Sequence, residues 1–383
     1  MRGKSGQAAR RSLAALTAVA VLLGSWTAAL RPEGISLPRM LMRVQLGGWG
    51  AAAAAESGAG QGRFSPLTNF LVHDSALLTA VRDVLPGGEE AEDAAGENSE
   101  TKEGTVLRDG DESAEDIAAE SDNGVAAKTI RPASEKGYLV WKDVYITNTS
   151  VHDPDLEALM RERPAARLTD ELPQVLIIHT HGTEAYTMPA GQEYNSDGST
   201  RTTDTNYNVV RVGDEIAAVF EEHGISVLHD RTLYDAESYN DAYSLAGEAI
   251  DGYLEKYPSI HFVLDIHRDA IEGSDGTPYK VISQVNGQNA AQLSIVVGTD
   301  GSGAPHDHWQ ENLKLAVLLQ QDLTEHYPTL MRPMYLRNSR YNEHATTGSL
   351  LIEVGAAGNS LDEALYAARL FAEGAVEVFE TLR

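Results

Sequence analysis

Short apolar runs alternate with amphipathic stretches from about residue 137 to residue 383. The runs are rich in Val, Ile and Leu, which is typical of buried strands, whereas the longer stretches repeat their apolar residues at helical spacing. The predicted strands lie at 138–147 (a strand or hairpin), 175–178, 225–228, 261–266, 280–285, 292–299 and 349–354, and the predicted helices at 155–163, 206–222, 239–257, 309–326 and 361–382. This order predicts an α/β fold with a mostly parallel sheet covered by helices on both faces.

A different pattern occupies the N-terminal end, where 13–30 is an uncharged and largely apolar run of 18 residues. Such a run is just long enough to span a bilayer. The basic residues before it predict a cytoplasmic tail at 1–12, a transmembrane anchor at 13–30 and an extracytoplasmic remainder, that is, a single-pass membrane protein. A cleaved signal peptide is the alternative, although Thr27, Ala28 and Ala29 make a poor cleavage site.

Residues 31–136 are predicted to be a membrane-proximal region followed by an acidic linker. Within it, the stretch 87–122 holds 14 acidic residues against only Lys102 and Arg108, and it has almost no aromatic or β-branched residues. Such a segment cannot bury enough apolar surface to offset its loss of conformational entropy, so we expect it to be disordered. The globular domain is then predicted at 137–383.

Charge and composition exclude several classes of function. Asp and Glu total 57 against 30 Lys and Arg, a net charge of −27, which disfavours nucleic acid as a partner. The chain has no Cys, so disulfides, Cys-ligated metals and thiol nucleophiles are excluded. No GxSxG elbow, P-loop or Rossmann glycine motif is present. Any transition-metal site must therefore use the 12 His residues and carboxylates.

Candidate chemistry gathers at the ends of three predicted strands. His179, His181 and Glu184 follow the first buried strand, His267 follows another, and Glu353 interrupts the last apolar strand. In α/β sheets, ligands collect at the carboxyl ends of strands. Neutral imidazoles with one carboxylate are what a catalytic zinc uses when no Cys is available. A Glu353 buried in an apolar strand is costly unless it is paired, which also favours a functional role.

Two further groups permit more than one interpretation. His306 and His308 lie in a Gly/Pro-rich loop and are either metal ligands or, as we favour, part of a surface loop. A set of polar residues before the last predicted strand either binds an anionic or amide-rich substrate or forms an ordinary loop. Its members are Arg337, Arg340, Tyr341 and Asn342. Four histidines are predicted at edges or helix ends, namely His223, His229, His261 and His326.

Four motifs in a fixed order resemble the stage II sporulation protein P family over about residues 138–383. They are HTHGTEAY at 179–186, NVVRVGDEIA at 208–217, LDIHRDA at 264–270 and SLLIEVGAAGN at 349–359. The resemblance implies a membrane-anchored zinc hydrolase, similar in fold to the N-acetylmuramoyl-L-alanine amidases. It implies cleavage of the amide between the glycan and the stem peptide of peptidoglycan, and of peptide cross-links. It also implies action during forespore engulfment at the mother-cell membrane, with stage II sporulation proteins D and M as partners.

The resemblance also assigns roles to single residues. It implies that His267 binds zinc and that Glu353 is catalytic. The match of His181-Gly182 to the His-Gly pair of the amidases favours His181 as the other histidine ligand, with His179 as a supporting or substitute ligand. Glu184 is the expected carboxylate ligand and Asp204 its alternative. Other residues are expected to orient the ligands or to contact substrate, namely Asp265, Arg268, Asp269, Arg340 and Asn342.

Two other classes of function compete with the enzyme. One is a catalytically inactive wall-binding or scaffold module of the same fold, and the other is a membrane-anchored binding protein for an unrelated small ligand. The complete set of His181, His267 and Glu353 favours the enzyme, because an inactive module has no reason to keep all three.

The predicted topology is testable in wall-stripped cells. Because basic residues precede the apolar run at 13–30, we expect the rest of the chain to lie outside the cytoplasm. Added protease should then cleave within 87–122 in intact cells, as followed by immunoblotting against the C-terminal domain. Protection of this stretch until the membrane is lysed would contradict both the topology and a role in the cell wall.

Overall fold

The computed structural model describes residues 105–106, 125–189, 191–195, 199–272 and 278–383. Within these ranges, no helix combines the length and the apolar character that crossing a bilayer requires. The predicted tail at 1–12 and the predicted anchor at 13–30 lie outside the described residues, as does most of the predicted linker.

An eight-stranded sheet organises the described part of the chain. In spatial order its strands are β3 (Leu139–Trp141), β4 (Val144–Asn148), β12 (Met334–Arg337), β11 (Leu293–Gly298), β13 (Gly348–Ala356), β7 (Phe262–Asp269), β5 (Val175–Ile178) and β6 (Val227–His229). Each predicted strand has a counterpart here or in the smaller sheet described below, whereas β12 was not predicted. β13 is the last strand in the chain order of the described residues, yet it lies in the middle of the sheet, between β11 and β7.

The sheet is mixed, which corrects the prediction of a mostly parallel sheet. β13, β7, β5 and β6 run in one direction, but β11 is antiparallel to β13, and β3 is antiparallel to β4. The physical reason lies in the connection from β7 to β11. A strand that runs parallel to the strand before it in the chain needs a long, usually helical crossover connection. The described part of this connection instead contains the strands β8 (Ile271–Glu272), β9 (Tyr279–Val285) and β10 (Gln288–Ala291).

The β9–β10 hairpin belongs to a second, three-stranded sheet. Asn286 and Gly287 close this hairpin, both with positive φ, as a tight hairpin turn requires. β9 also pairs in parallel with β2 (Ala126–Lys128), a strand that precedes the predicted domain boundary at 137. A short strand, β1 (Thr105–Val106), pairs with β8 and falls inside the stretch whose acidic composition predicts disorder.

In the described part of the chain, five helices surround the main sheet: α1 (Leu156–Leu159), α2 (Val209–Glu222), α3 (Ala242–Lys256), α4 (Trp309–His326) and α5 (Leu361–Thr381). Each matches a predicted helix, and a 3-10 helix at Glu343–Ala345 precedes β13. The side chain of Asn208 caps α2 by accepting the Val210 N–H, and Ser360 with Glu363 forms a capping box at the start of α5.

Both faces of the sheet are covered, but unequally. Val175 and Ile177 of β5 belong to the large core shared with α2, α4 and α5, whereas Leu176 and Ile178 pack with residues of α3 on the opposite face. This split follows from the alternation of side chains along a strand. Because the cluster around α3 includes β5 and β7 but not β11 or β13, part of this second face remains available for a pocket.

A buried ion pair ties the smaller sheet to α5. Lys280 of β9 is 1% exposed and donates to Glu363 Oε1 at 2.6 Å. The other carboxylate oxygen of Glu363 accepts from Asn359 Nδ2 at 2.8 Å and from the Ser360 N–H at 3.0 Å. Removing one member of such a pair leaves the other charge buried without its partner, which is strongly destabilising.

We therefore predict that Lys280→Met lowers the free energy of unfolding by about 3–5 kcal/mol. The measurement is urea denaturation of the full chain followed by circular dichroism. Arg383→Met is the matched control, because Arg383 also pairs with carboxylates but lies at the surface, and it should change stability little. A small effect of Lys280→Met, equal to that of the control, would contradict a buried pair.

Candidate metal centre and active site

Three of the predicted ligands converge into one buried group. His181, Glu184 and His267 each offer a ligand atom, and these atoms lie within 4.8 Å of one another. His181 Nδ1 is 3.9 Å from Glu184 Oε1, and His267 Nδ1 is 3.5 Å from Glu184 Oε2. The turn after β5 carries His181 and Glu184, and β7 carries His267, so two neighbouring parallel strands supply the whole set.

Carboxylates flank His267 on two sides. Its Nδ1 faces Glu184, and its Nε2 lies 3.0 Å from Asp265 Oδ1. Asp265 is itself fixed by Thr180, whose N–H and hydroxyl donate to its two oxygens at 2.8 and 2.6 Å. Burial alone would lower the pKa of His267, but Asp265 and Glu184 raise it well above its ordinary value. The position therefore favours positive charge, and Asp265 lies beside the ring, where a carboxylate can support a ligand histidine.

Glu184 is held as a carboxylate. Its Oε2 accepts the backbone N–H of Arg268 at 3.1 Å, and its Oε1 lies 3.5 Å from Arg201 Nη2. Burial acts to raise the pKa of Glu184, but the Arg268 charge and His267 hold it well below its usual range. Arg268 also donates through Nε to the Ala185 carbonyl at 2.9 Å, so the predicted orienting residue secures the segment that carries Glu184.

Aromatic rings fix the orientation of His181. The Tyr239 ring stacks on it at 4.2 Å between centroids, and the Tyr243 ring meets its edge at 5.3 Å. Burial lowers the pKa of His181 to about 3, so the ring is neutral at neutral pH. A neutral imidazole is the form that binds a metal ion.

Glu353 lies directly beside His267, because β13 and β7 pair in a register that places the two residues opposite each other. The Glu353 Oε2 atom is buried and has no hydrogen-bond partner among the described residues. Burial and the Asp269 carboxylate raise the pKa of Glu353 to about 8, against the lowering effects of His267 and Arg332. This carboxyl is therefore poised to exchange a proton near neutral pH.

A bulge follows Glu353. The register with β7 shifts between Glu353 and Ala356, and Gly355 has φ +70°. A Cβ on Gly355 would come within 2.8 Å of Ala291 Cβ, so both the conformation and the space require glycine. Bulges re-aim the side chains beside them, and this bulge interrupts the β7–β13 pairing directly after the Glu353–His267 pair, before it resumes with Ala356 opposite Asp269.

The site opens into a cavity of about 50 Å³ on the sheet face that α3 covers only partly. Leu351 and Glu353 of β13 lie on this face next to Asp265 and His267 of β7. The lining residues are Glu184, Tyr243, His267, Arg268, Asp269, Ala270, Val296, Arg337, Tyr341, Leu351 and Glu353. Two of the three metal candidates, Glu184 and His267, thus share one pocket with Glu353. Arg337 and Tyr341, two members of the group for which substrate binding and an ordinary loop were both open, line it as well.

Two candidate ligands lie outside the converged group. His179 is fully buried, and its ring nitrogens contact the Ile266 carbonyl at 3.0 Å and His229 Nε2 at 2.8 Å. Both nitrogens are thereby engaged on the α2 side of β5, where Gly213 leaves room for the ring. Asp204 is exposed and accepts from the N–H and side chain of Asn206. The structure brings neither residue to His181 and Glu184.

The remaining predicted residues divide between the pocket and its surroundings. Asp269 lines the pocket and pairs with the buried Arg332 at 3.0 Å. Arg340 donates to the Pro305 carbonyl at 3.2 Å and does not line the pocket. Asn342 donates to the Tyr243 carbonyl at 2.8 Å, which fastens the loop before β13 to α3.

Sequence reasoning missed Arg201, Tyr239, Tyr243 and Arg332. Arg201 reaches Glu184 from an irregular segment and lies 4.9 Å over the Tyr239 ring, and its Nη1 lies 2.8 Å from Asp235. Arg201 is partly exposed and Arg332 is buried, and neither lies in a periodic pattern that would mark it as part of a site. The tyrosines occur in a helical stretch where they resemble ordinary core residues.

His306 departs from the surface-loop interpretation. It is 1% exposed, and its ring lies 5.4 Å from that of His308 and 6.3 Å from that of His344. Burial and the neighbouring His308 lower the pKa of His306 to about 4. These three histidines form a cluster of their own, outside the group of His181, Glu184 and His267.

Comparison with known proteins identifies relatives of this chain. A family model described as Stage II sporulation protein P (SpoIIP) matches residues 79–375. Stage II sporulation protein P of Bacillus subtilis (strain 168) is 27% identical over 231 residues, which cover 56% of this chain and 53% of that protein. The chain thus spans about half the length of this relative.

Several solved structures align with part of the chain. The CwlD amidase from Clostridioides difficile, solved in complex with the GerS lipoprotein, gives a TM-score of 0.35 at 17% identity and covers 55% of this chain and 98% of that chain. The N-acetylmuramoyl-L-alanine amidase AmiC2 of Nostoc punctiforme gives 0.31 at 13% identity, over 55% of this chain and 98% of that chain. The catalytic domain of CwlV from Bacillus (Paenibacillus) polymyxa var. colistinus gives a TM-score of 0.32 at 12% identity, and the match covers 55% of this chain and 99% of that chain.

The raised pKa of Glu353 predicts a pH dependence of stability in EDTA. Its folded-state pKa of about 8 exceeds the ordinary value of 4.5, so stability from the protonated carboxyl is complete below pH 4.5 and is lost as pH rises toward 8. Wild type should therefore lose stability relative to Glu353→Gln over this range, by at most about 1.4 kcal/mol per pH unit. Urea unfolding of both full chains at several pH values is the measurement. Glu171→Gln, at an exposed carboxyl, should show no such trend relative to wild type.

Proposed function

The chain belongs to the stage II sporulation protein P family, and we propose that it is a zinc-dependent cell-wall hydrolase that cleaves the N-acetylmuramoyl-L-alanine amide of peptidoglycan. One observation carries the proposal. Two buried histidines and a carboxylate converge within 4.8 Å, and Glu353, whose buried Oε2 has no hydrogen-bond partner among the described residues, stands beside one of those histidines on the neighbouring strand.

The residues present suit a zinc ion. His181, Glu184 and His267 are the donor types of catalytic zinc sites in proteins without Cys, and three protein ligands leave a coordination position open. His181 has a neutral ring, and Asp265 stands behind His267 as the carboxylate that typically supports a metal-binding imidazole. When bound, zinc would supply Lewis-acid polarisation of the scissile carbonyl and a lower pKa for the attacking water.

Glu353 is the proposed proton carrier. It lines the same pocket as Glu184 and His267 but comes from a different strand, so it can reach the reacting water without belonging to the ligand set. It would accept the proton of that water and deliver it to the nitrogen of the leaving L-alanine. A carboxyl whose pKa lies near the working pH suits both steps, since it must be a base first and an acid afterwards.

Substrate would lie along the pocket, away from the ligands. Arg337 and Tyr341 line this pocket, and Tyr243 reaches it from α3. A guanidinium and phenol groups can hold the carboxylates and amides of a stem peptide by charge-assisted and neutral hydrogen bonds. Arg340, which bonds to Pro305 instead, is proposed to stabilise the loop rather than to contact substrate.

The remaining parts of the proposal derive from family membership and the N-terminal sequence. They are cleavage of peptide cross-links, action during forespore engulfment, partnership with stage II sporulation proteins D and M, and attachment to the mother-cell membrane with an extracytoplasmic catalytic domain. The apolar run at 13–30 after its basic residues supports the attachment.

Digestion of purified sacculi tests the activity directly. The full chain, purified in detergent and loaded with zinc, should free stem peptides that carry a new L-alanine amino terminus, and leave the lactyl carboxylate on the glycan. Cross-link cleavage would appear separately, as new amino termini within the stem peptides. Binding to sacculi without release of either product would favour the inactive wall-binding module.

The roles of ligand and proton carrier should separate by mutation. His267→Ala removes a ligand, so zinc content and the release of stem peptides should fall together. Glu353→Gln should keep zinc but lose roughly 10²–10⁴-fold in rate, the usual contribution of general acid–base catalysis. The measurements are zinc per chain by elemental analysis and initial rates on sacculi.

Glu171→Gln is the control for a general effect of lost charge, and it should match wild type in both measurements. If Glu353→Gln loses zinc as completely as His267→Ala, Glu353 is a ligand rather than the proton carrier. Full activity of Glu353→Gln would refute the mechanism.

A further inference from the structure

A second histidine cluster lies apart from the candidate active site. His306 and His308 end the loop before α4, and His344 lies in the 3-10 helix before β13. One ring nitrogen of each is buried without a hydrogen-bond partner among the described residues, namely His306 Nδ1, His308 Nε2 and His344 Nδ1. Buried polar atoms are nearly always paired, so three orphaned nitrogens in one place require an explanation.

The tautomer of His306 follows from its neighbours. Asn312 directs its Nδ2 at three backbone carbonyls, those of Glu343, Thr346 and Ser349, so its Oδ1 is the atom that faces His306 Nε2 at 3.2 Å. An amide oxygen only accepts, and His306 Nε2 must therefore carry the hydrogen. The lone pair is then on Nδ1, the nitrogen without a partner. An imidazole fixed in this way by a second residue is typical of metal ligands.

The spacing of the rings also suits one ion. A metal about 2 Å from each nitrogen in tetrahedral geometry places two imidazole centres roughly 5 Å apart. The rings of His306 and His308 are 5.4 Å apart, which agrees with that spacing. His344, at 6.3 Å from His306, would need to move inward by roughly 1 Å to join the same tetrahedral site.

We propose that His306, His308 and His344 bind one divalent transition-metal ion at a site separate from His181, Glu184 and His267. Three imidazoles suit zinc, cobalt, nickel or copper rather than calcium or magnesium, which prefer oxygen ligands. The ion would join the loop before α4 to the segment that contains Tyr341 and leads into β13. The inference does not depend on the proposed hydrolysis.

Cobalt binding tests the proposal in a chain whose first centre is disabled. The full chain carrying His267→Ala is stripped with chelator and loaded with Co²⁺ alone, and bound cobalt is measured by equilibrium dialysis. We expect about one ion per chain, with the strong visible absorption of a tetrahedral nitrogen-ligated ion. Adding His308→Gln or His344→Gln should weaken binding at least tenfold. The absorption spectrum is recorded on the His267→Ala chain alone, so it still reports on the ligands of the bound cobalt if a double variant fails to fold.

His326→Gln in the same background is the matched control. His326 belongs to an exposed group with Asp322 and Glu377 that offers ligand atoms in similar proximity, and its loss should leave the cobalt content unchanged. Loss of cobalt in this control would place the ion at that group and overturn the proposal. The proposal would also be overturned if the His267→Ala chain failed to bind cobalt, or if it showed the weak absorption typical of an oxygen-ligated ion. Cobalt binding that survives both His308→Gln and His344→Gln would overturn it as well.

Discussion

Burial of several ionisable groups in one place is the constraint on which the candidate site depends. His267 lies between the carboxylates of Asp265 and Glu184, and Glu184 in turn receives the backbone N–H of Arg268. A buried charge is tolerated only when it is paired and hydrogen-bonded, so each of these groups fixes the position of the next. The same arrangement stabilises positive charge at the centre of the group, which is the property that a cation site requires.

Incomplete coverage of the sheet turns this charged group into a site. α3 packs over β5 and β7, whereas the neighbouring part of that face, over β13 and β11, forms the floor of the pocket. Glu353 stands at the boundary between the buried group and the pocket. Burial and the Asp269 carboxylate raise its pKa, yet the cavity leaves it in reach of a small molecule. A sheet covered completely on both faces would have buried the same residues without access.

Much of this arrangement follows from the sequence, and the failures have physical causes. The motifs identify His181, His267 and Glu353, because ionisable residues at the ends of apolar strands have few structural explanations. The strand pattern alone does not separate His179 from His181, and only the resemblance favours His181, since the turn after β5 decides which ring faces α2 and which joins Glu184 and His267. Periodicity also misses β12, because a four-residue strand among loops depends on pairing with distant partners. Arg201 reaches the site from an irregular segment, which no local pattern can predict.

The position of β13 links the integrity of the sheet to the candidate chemistry. Among the described residues, β13 joins β7, β5 and β6 to β11, β12, β4 and β3, since no strand of the first set pairs with a strand of the second. β13 also carries Glu353, the proposed proton carrier. A substitution that displaces this strand would therefore separate the two parts of the sheet and remove Glu353 from His267 at the same time.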